Sequence, residues 1–146
     1  ALMQCGTPRG YFVVNFEDNK YSFRYKGVGL DDNKQMALTT DSNRIIVNVF
    51  GAGDSTDVSI KINDAEWVKM NRKKDVDPTV LNIVELNHAK VYPTKGNTLN
   101  PLRKRNSSHL WEIAKQQKLS PKPSVILIKA RDRFGLSVEE KFLLYQ

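Results

Sequence analysis

The sequence predicts an all-β protein built as one antiparallel β-sandwich, and three observations support this fold class. Apolar and polar residues alternate along several short runs, residues that favour turns separate the runs at short intervals, and the length of 146 residues suits one domain. A chain of this length buries about 70% of the surface that its unfolded form exposes. We therefore expect a single hydrophobic core.

The composition excludes several other classes of protein. Hydrophobic residues make up 40% of the chain and charged residues 27%, which are ordinary values for a globular domain. No apolar run approaches the roughly 20 residues of a membrane-spanning helix. The one cysteine, Cys5, excludes an intramolecular disulfide and a zinc site made of several cysteines. The net charge of +7 leaves binding to polyanions open.

The pattern in the first half of the chain predicts several strands that expose one face to solvent. The alternating pattern begins at Tyr11, so we predict that residues 1–10 are a linker or entry segment and that residues 11–146 form a single domain. Two runs alternate most clearly between apolar and polar positions. Their apolar residues are Tyr21, Phe23 and Tyr25 in the first run and Val58, Ile60 and Ile62 in the second.

Two further segments predict strands with distinct places in the sheet. Residues 44–50 are apolar at odd and even positions apart from Asn48, which indicates a central strand covered on both sides. Residues 125–130 and 136–145 flank a short polar turn that ends in Gly135. Because glycine readily adopts the positive φ of a hairpin turn, we expect these two segments to form a closing hairpin.

The middle of the chain is less regular. Residues 77–106 contain Pro78, Pro93 and Pro101 and show no sustained period, so we expect one long, partly irregular connection. Residues 109–118 have good helix formers after a pair of serines that could cap a helix. The same residues lie in a chain that is otherwise patterned for strands. Helix and strand therefore both stay open for this segment.

The sequence offers no catalytic, metal-ligating or cofactor-binding constellation. The two histidines, His88 and His109, lie 21 positions apart and in no spacing that would bring two metal ligands together. Gly51-Ala52-Gly53 lacks the rest of a dinucleotide fingerprint, and Cys5 has no activating neighbour. Three carboxylate pairs fall in predicted turns, where Asp commonly binds its own backbone. They are Asp31 with Asp32, Asp54 with Asp57, and Asp75 with Asp77.

Two basic clusters and two tryptophans are candidates for ligand binding. The clusters are residues 69–74, with four Lys or Arg, and Arg103-Lys104-Arg105. Phosphates would favour both, but neither is interleaved with the aromatic residues on which single-stranded nucleic acids stack. We therefore favour solvated faces and expect no nucleic acid partner. Trp67 and Trp111 could stack on a sugar, although packing within the domain is the commoner role.

Motifs along the chain resemble a known family. The motifs, in chain order, are Gly6-Thr7-Pro8-Arg9-Gly10-Tyr11, Tyr25-Lys26-Gly27, Ile46-Val47-Asn48-Val49-Phe50, Trp67, Asp77-Pro78, His109-Leu110-Trp111 and Ala130-Arg131-Asp132-Arg133-Phe134-Gly135. From Gly6 to Tyr145 this series resembles the C-terminal domain of bacterial calcineurin-like metallophosphoesterases.

The resemblance implies a parent protein with three parts: a small N-terminal β domain, a central phosphoesterase domain with two divalent metals, and a β-sandwich like this one. It thereby implies that residues 1–10 are the linker or entry segment from a preceding catalytic domain. It also implies an exported bacterial protein, located in the periplasm or at the cell surface. The signatures of the central domain, such as Gly-Asn-His-Asp and Gly-His-x-His, are missing here. No catalytic or metal-binding residue is therefore carried over, and we expect no cofactor in this domain.

Together these observations predict an immunoglobulin-like or fibronectin-like sandwich of about seven or eight strands. Its expected role is that of a non-catalytic accessory domain that packs on the phosphoesterase domain of the same polypeptide and positions it. The residues expected at that contact are Gly6, Thr7, Pro8, Arg9 and Tyr11. The alternative is a module that targets the parent to a glycan or an anionic polymer. Its expected contacts are Trp67, Trp111, Arg103, Lys104 and Arg105.

Overall fold

The computed structural model describes residues 2–91, 103–115 and 123–145. In these ranges the chain forms ten strands and one helix. In chain order they are β1 (Gly10–Glu17), β2 (Lys20–Gly27), β3 (Met36–Thr40), β4 (Arg44–Val49), β5 (Asp57–Ile62), β6 (Val68–Lys69), β7 (Asn71–Val76), α1 (Pro78–His88), β8 (Asn106–Ala114), β9 (Ser124–Arg131) and β10 (Ser137–Leu144).

The strands form two four-stranded antiparallel sheets and a separate hairpin. One sheet has the order β3-β4-β8-β7, the other has the order β10-β9-β5-β6, and β1 pairs only with β2. The facing sides of the two sheets supply one buried core. Its main members are Met36, Ile45, Val47, Val49, Val58, Ile60, Met70, Trp111, Ile126, Ile128, Ala130 and Leu136. The predicted all-β antiparallel class is confirmed, whereas immunoglobulin-like character stays a prediction.

The prediction of a central strand over residues 44–50 is confirmed by β4. This strand lies between β3 and β8, and residues 45–50 are all buried. Ile45 and Val47 belong to the core between the sheets, while Ile46 lies on the opposite side, near Leu81 of α1. The strand is apolar at odd and even positions because each of its faces is covered by another layer.

The prediction of one irregular connection over residues 77–106 is wrong for its first part, which forms α1. Asp77 is the N-cap: its side chain accepts hydrogen bonds from the backbone N–H groups of Thr79 and Val80. Pro78 occupies the first turn, where its missing N–H costs no hydrogen bond. Val80 and Val84, one helical turn apart, are the buried residues of the helix. Residues 92–102 of the predicted connection lie outside the described residues.

For residues 109–118, the structure decides between helix and strand as far as residue 115. Residues 109–114 belong to β8, which pairs with β4 on one side and β7 on the other. Leu110 and Trp111 are both buried, on opposite faces of this strand. Two flanking strands and two covered faces therefore override the helix propensity of the segment. Residues 116–118 lie outside the described part of the chain.

The predicted closing hairpin is confirmed by β9 and β10, which pair from Ser137↔Arg131 to Leu144↔Ser124. Gly135 in its turn has a φ of +101°. A Cβ atom at Gly135 would lie 2.7 Å from the Tyr21 carbonyl oxygen of β2, so this turn also packs closely on the first hairpin. None of the helices in the described ranges is long and apolar enough to cross a membrane.

The buried position of Ile45 on the central strand gives a direct test of this core. Replacing Ile45 with Ala should lower the free energy of unfolding by about 2–5 kcal/mol, because the truncation leaves a cavity between the sheets. Val28→Ala is the matched control, since Val28 is 71% exposed and its truncation should change stability by less than about 0.5 kcal/mol. Urea unfolding of both variants measures the difference. Equal losses would contradict the proposed core.

Candidate functional site

The N-terminal segment, residues 2–8, is folded onto the domain. The Met3 N–H donates to the Thr7 carbonyl at 2.8 Å, and the Gly6 N–H donates to the Met3 carbonyl at 2.9 Å. Leu2 forms an antiparallel bridge with Pro8, so the segment turns back on itself. Residues 2–8 are therefore part of the domain and not a free linker. That they receive the chain from a preceding domain stays a prediction.

Asn48 of β4 holds this segment in place. Its side-chain N–H group donates to the Cys5 carbonyl at 2.9 Å and to Asp77 Oδ2 at 2.8 Å. The Thr7 hydroxyl lies 3.5 Å from Asn48 Oδ1, to which it donates. We call Cys5, Thr7, Asn48 and Asp77 the Asn48 network. Because Asp77 also caps α1, the network joins the N-terminal segment, the central strand and the helix.

Gly6 fits against this network because it has no side chain. Its φ is +79°, and a Cβ atom there would lie 2.3 Å from Cγ of Asp77. Both features exclude any other residue without a shift of the backbone or of the helix cap. No pattern in the sequence predicts this contact, because the contact joins two positions that are distant in the chain.

The five residues that we expected at an interdomain contact differ in their exposure to solvent. Gly6 and Thr7 are buried within this domain, so neither residue offers surface to another one. Pro8 is half-buried, and its carbonyl accepts a hydrogen bond from the Tyr25 hydroxyl. Arg9 and Tyr11 are exposed. The expectation is therefore corrected for Gly6 and Thr7, while Arg9 and Tyr11 remain accessible for such a contact.

The hairpin of β1 and β2 carries an apolar face that the sequence analysis identified only in part. Phe12, Val14 and Phe16 alternate along β1, and the register pairs them with Tyr25, Phe23 and Tyr21 of β2 in that order. All six side chains lie on one side of the hairpin. We call this side the aromatic face. The period-two spacing of Phe12, Val14 and Phe16 is the signal that could have completed it.

The rest of the domain covers the aromatic face at Tyr25 and in part at Phe23, whereas Phe12 beside them is 53% exposed. The ring of Tyr25 packs edge-on against Phe50 at 6.0 Å, and the Phe23 N–H donates to the Gly135 carbonyl at 3.2 Å. Farther along the hairpin, Phe16 is 79% exposed and Tyr21 is 48% exposed, with their ring centres 6.3 Å apart. The distal half of the face is therefore open.

A groove of about 480 Å³ lies between α1 and the outer side of the β3-β4-β8-β7 sheet. Its floor is apolar, and its rim carries charges of both signs. The floor consists of Ile46, Val76, Pro78, Leu81 and Leu110. The charged rim consists of Asp41, Arg44, Lys73, Asp75, Lys104 and Glu112.

Ion pairs occupy part of this rim. The Arg44 guanidinium bonds Asp41 at 2.7 Å and Glu112 at 2.9 Å. Hydrogen bonds from the Asn43 backbone N–H and from Arg44 hold the pKa of the Asp41 carboxyl below its usual value. The sequence analysis did not single out Asp41 or Arg44. Their three-residue spacing across a turn is compatible with a pair, but the third partner, Glu112, lies on a strand 68 positions later.

The two tryptophans differ in their surroundings. Trp111 is 2% exposed and belongs to the core between the sheets, so it cannot stack on a sugar. Its assignment to a ligand contact is therefore wrong, because the inner face of β8 is covered by the opposite sheet. Trp67 is half-buried, and Lys129 Nζ lies 4.0 Å from the centre of its ring.

The basic clusters lie on the surface, and several of their members pair with carboxylates. Arg103, Lys104 and Arg105 are exposed, and Lys104 Nζ lies 3.8 Å from Glu85. In the first cluster, Lys69 pairs with Asp57 at 2.6 Å and Arg72 pairs with Asp54 at 2.8 Å. This supports the interpretation of the charged residues of 69–74 as a solvated face. Lys69 lies on β6 and the others lie on β7, and each of these strands is at the edge of its sheet.

The histidines and acidic pairs do not assemble into a metal centre in the described ranges, where no group of three or more His, Cys, Asp or Glu comes together. His88 is in the last turn of α1. His109 is half-buried in β8, and burial is the main reason why its pKa lies below the usual value. Asp32 pairs with Arg24 at 2.7 Å and Lys26 at 2.9 Å.

Comparison with known proteins identifies one family. A family model described as the C terminal of calcineurin-like phosphoesterase matches residues 1–137. The match covers nearly the whole chain, from the N-terminal segment to the start of β10, and includes every motif on which the resemblance was based. The predicted resemblance is confirmed. No curated protein and no solved structure matches this chain.

Gly6 tests the attachment of the N-terminal segment. We expect Gly6→Ala to lower the free energy of unfolding by about 2 kcal/mol or more, because the new methyl group would overlap Asp77 and the residue would be held at positive φ. Gly53→Ala is the control, since a Cβ atom at Gly53 meets nothing within 4 Å. Denaturant unfolding compares the two variants. A Gly6 variant as stable as the Gly53 variant would contradict the described contact.

Asp41 gives a test by pH. Because its pKa in the folded protein is lowered, the carboxylate favours folding above the usual Asp value of about 3.9, and this contribution is lost as the pH falls through the folded pKa. Asp41→Asn should therefore lose less stability than the wild type between about pH 5 and pH 2. Melting temperatures across that range measure the effect. Asp64→Asn, at an exposed turn, is the control, and identical acid profiles for Asp41→Asn and wild type would refute the prediction.

Proposed function

This chain belongs to the family of C-terminal domains of calcineurin-like phosphoesterases, and from that premise we propose that it is a non-catalytic accessory domain. It packs on the phosphoesterase domain of the same polypeptide and positions that domain. The parent protein is a hydrolase by its family, and the proposal assigns its chemistry, including two divalent metals, to the catalytic domain. The location of the parent in the bacterial periplasm or at the cell surface stays a prediction.

The side chains of this domain do not fit a phosphoesterase centre. Such a centre needs several His, Asp and Asn ligands at one point, and within the described residues no such group of His, Cys or acidic side chains occurs. Asp32, Asp41 and Asp77 are engaged by Arg24, Arg44 and Asn48 respectively. This arrangement supports an accessory role.

The observation that carries the proposal is the fixed N-terminal segment. A flexible linker would let two domains reorient freely. A segment that is bound to the central strand instead restricts how the preceding domain can be oriented relative to this one. Asn48 binds the segment through the Cys5 carbonyl and Thr7, and the side chains of Thr7, Asn48 and Asp77 are buried. The two hydrogen bonds between Met3, Gly6 and Thr7 keep the turn of the segment closed.

The alternative function, binding of a glycan or an anionic polymer, has less support. The burial of Trp111 removes one of the two stacking platforms. Trp67 and the exposed residues Arg103, Lys104 and Arg105 remain as its candidate contacts. Binding of the chain to a polyanion column that is lost in an Arg103→Ser, Arg105→Ser variant would favour this alternative.

Comparison of the parent protein with a version that lacks this domain tests the accessory role. We expect removal of the domain to lower the melting temperature of the catalytic domain by about 3 °C or more, since a packed neighbour contributes stability that a free one cannot. The phosphatase and phosphodiesterase turnover of the shortened parent protein should also fall. Scanning calorimetry and steady-state assays in the presence of manganese, zinc or magnesium provide the two measurements.

The control is the 146-residue chain assayed alone under the same conditions, where we expect no hydrolysis. Activity in this chain that survives repeated purification would contradict a non-catalytic role. Unchanged melting and unchanged turnover of the shortened parent would contradict the positioning role.

A further inference from the structure

The open half of the aromatic face is an apolar part of the described surface that the rest of the domain leaves uncovered. Two-stranded hairpins are at best marginally stable in water and usually need a covering layer. Here the body covers Tyr25 and half-covers Phe23. Four side chains of the same face are exposed: Phe12 near the base, and Val14, Phe16 and Tyr21 in the distal half. Phe134, which is also exposed, belongs to the turn whose Gly135 packs against Tyr21. The rings of Phe16 and Tyr21 adjoin each other, with their centres 6.3 Å apart.

In its distal half, the opposite side of the same hairpin is polar. Asn15, Glu17, Lys20 and Ser22 occupy its distal half, and the pairs Asn15↔Ser22 and Glu17↔Lys20 face each other across the strands. The polar side of the distal hairpin is thus compatible with solvent, whereas the aromatic side is complementary to an apolar surface. This asymmetry indicates a binding face and not a generally hydrophobic tip.

The start of β1 and the end of β2, which we call the foot of the hairpin, lie close to the N-terminal segment of the domain. Leu2 is bridged to Pro8, two positions before β1 begins, and the Val28 N–H after β2 donates to the Arg9 carbonyl at 2.8 Å. A domain that precedes Leu2 therefore attaches beside the foot. Eight residues of β1 reach about 26 Å from there to the tip, at about 3.3 Å per residue.

We propose that the distal aromatic face, formed by Val14, Phe16 and Tyr21, docks on an apolar patch of the preceding catalytic domain of the same polypeptide. This inference rests on the proposed accessory function and adds the surface through which it works. A few exposed side chains are far fewer than the roughly 20–30 residues per partner of a standard interface between separate proteins. A tethered partner needs less, because the tether supplies an effective concentration in the millimolar range. This favours the attached domain over a second copy.

The test uses the full parent protein with Phe16→Ser and Tyr21→Ser combined. Loss of two aromatic side chains from the proposed contact should raise the rate of protease cleavage at the junction between the domains by about tenfold or more, because it removes apolar area from that contact. Hydrogen exchange of β1 and β2 should be slower in the parent than in the 146-residue chain, and the double variant should remove this protection.

The matched control is Asn15→Ala combined with Ser22→Ala, at the same level of the hairpin on the polar side. This variant should keep the wild-type cleavage rate and protection. The melting temperature of the 146-residue chain carrying Phe16→Ser and Tyr21→Ser should stay within about 3 °C of wild type, which separates lost docking from lost folding.

The outcomes distinguish this inference from the proposed function. If the double variant behaves like the control while removal of the whole domain still lowers the melting temperature, the domain docks through another surface and the inference is overturned. If removal of the domain has no effect, the accessory function itself fails. If light scattering shows that the 146-residue chain is a dimer and that Phe16→Ser with Tyr21→Ser makes it a monomer, a second copy covers the face and the inference is likewise overturned.

Discussion

The hydrogen bonds of Asn48 are the constraint on which three parts of the structure depend. A buried amide that lacks partners destabilises the folded state by about 1–3 kcal/mol, so the central strand tolerates Asn48 only with acceptors in place. Asp77 and the Cys5 carbonyl are those acceptors. Asp77 also caps α1, and Cys5 belongs to the folded N-terminal segment. One buried side chain therefore joins helix, strand and segment.

The third layer of the domain follows from the pattern of β4 and β8. Both strands carry large apolar side chains on the side away from the core, notably Ile46 and Leu110. Two packed sheets alone would leave that side in water. The helix α1 lies beside it, and Leu81 shares a groove with Ile46 and Leu110. The helix therefore forms a third layer next to the apolar residues on the outer side of this sheet.

The sequence predicts those features that depend on a local period or a local turn. Alternation identifies the half-buried strands, the two-sided apolar run identifies β4, and Gly135 identifies the closing hairpin. The start signal of α1, Asp77-Pro78 followed by Val80 and Val84, is present in the sequence but is obscured by later prolines in the same stretch. The Gly6 contact and the ion pair from Arg44 to Glu112 join distant positions, so no local pattern contains them.

The family membership and the geometry together define how an accessory domain of this kind can act on its neighbour. A single attachment at Leu2 fixes where the preceding domain begins but leaves its rotation about that point free. A second contact near Phe16, about 26 Å along the hairpin, would remove most of that rotation, because two separated points define an axis. The base of the hairpin is rigid, since Tyr25 packs on Phe50 and Phe23 bonds to Gly135. The Asn48 network secures the first point, and the aromatic face supplies the second.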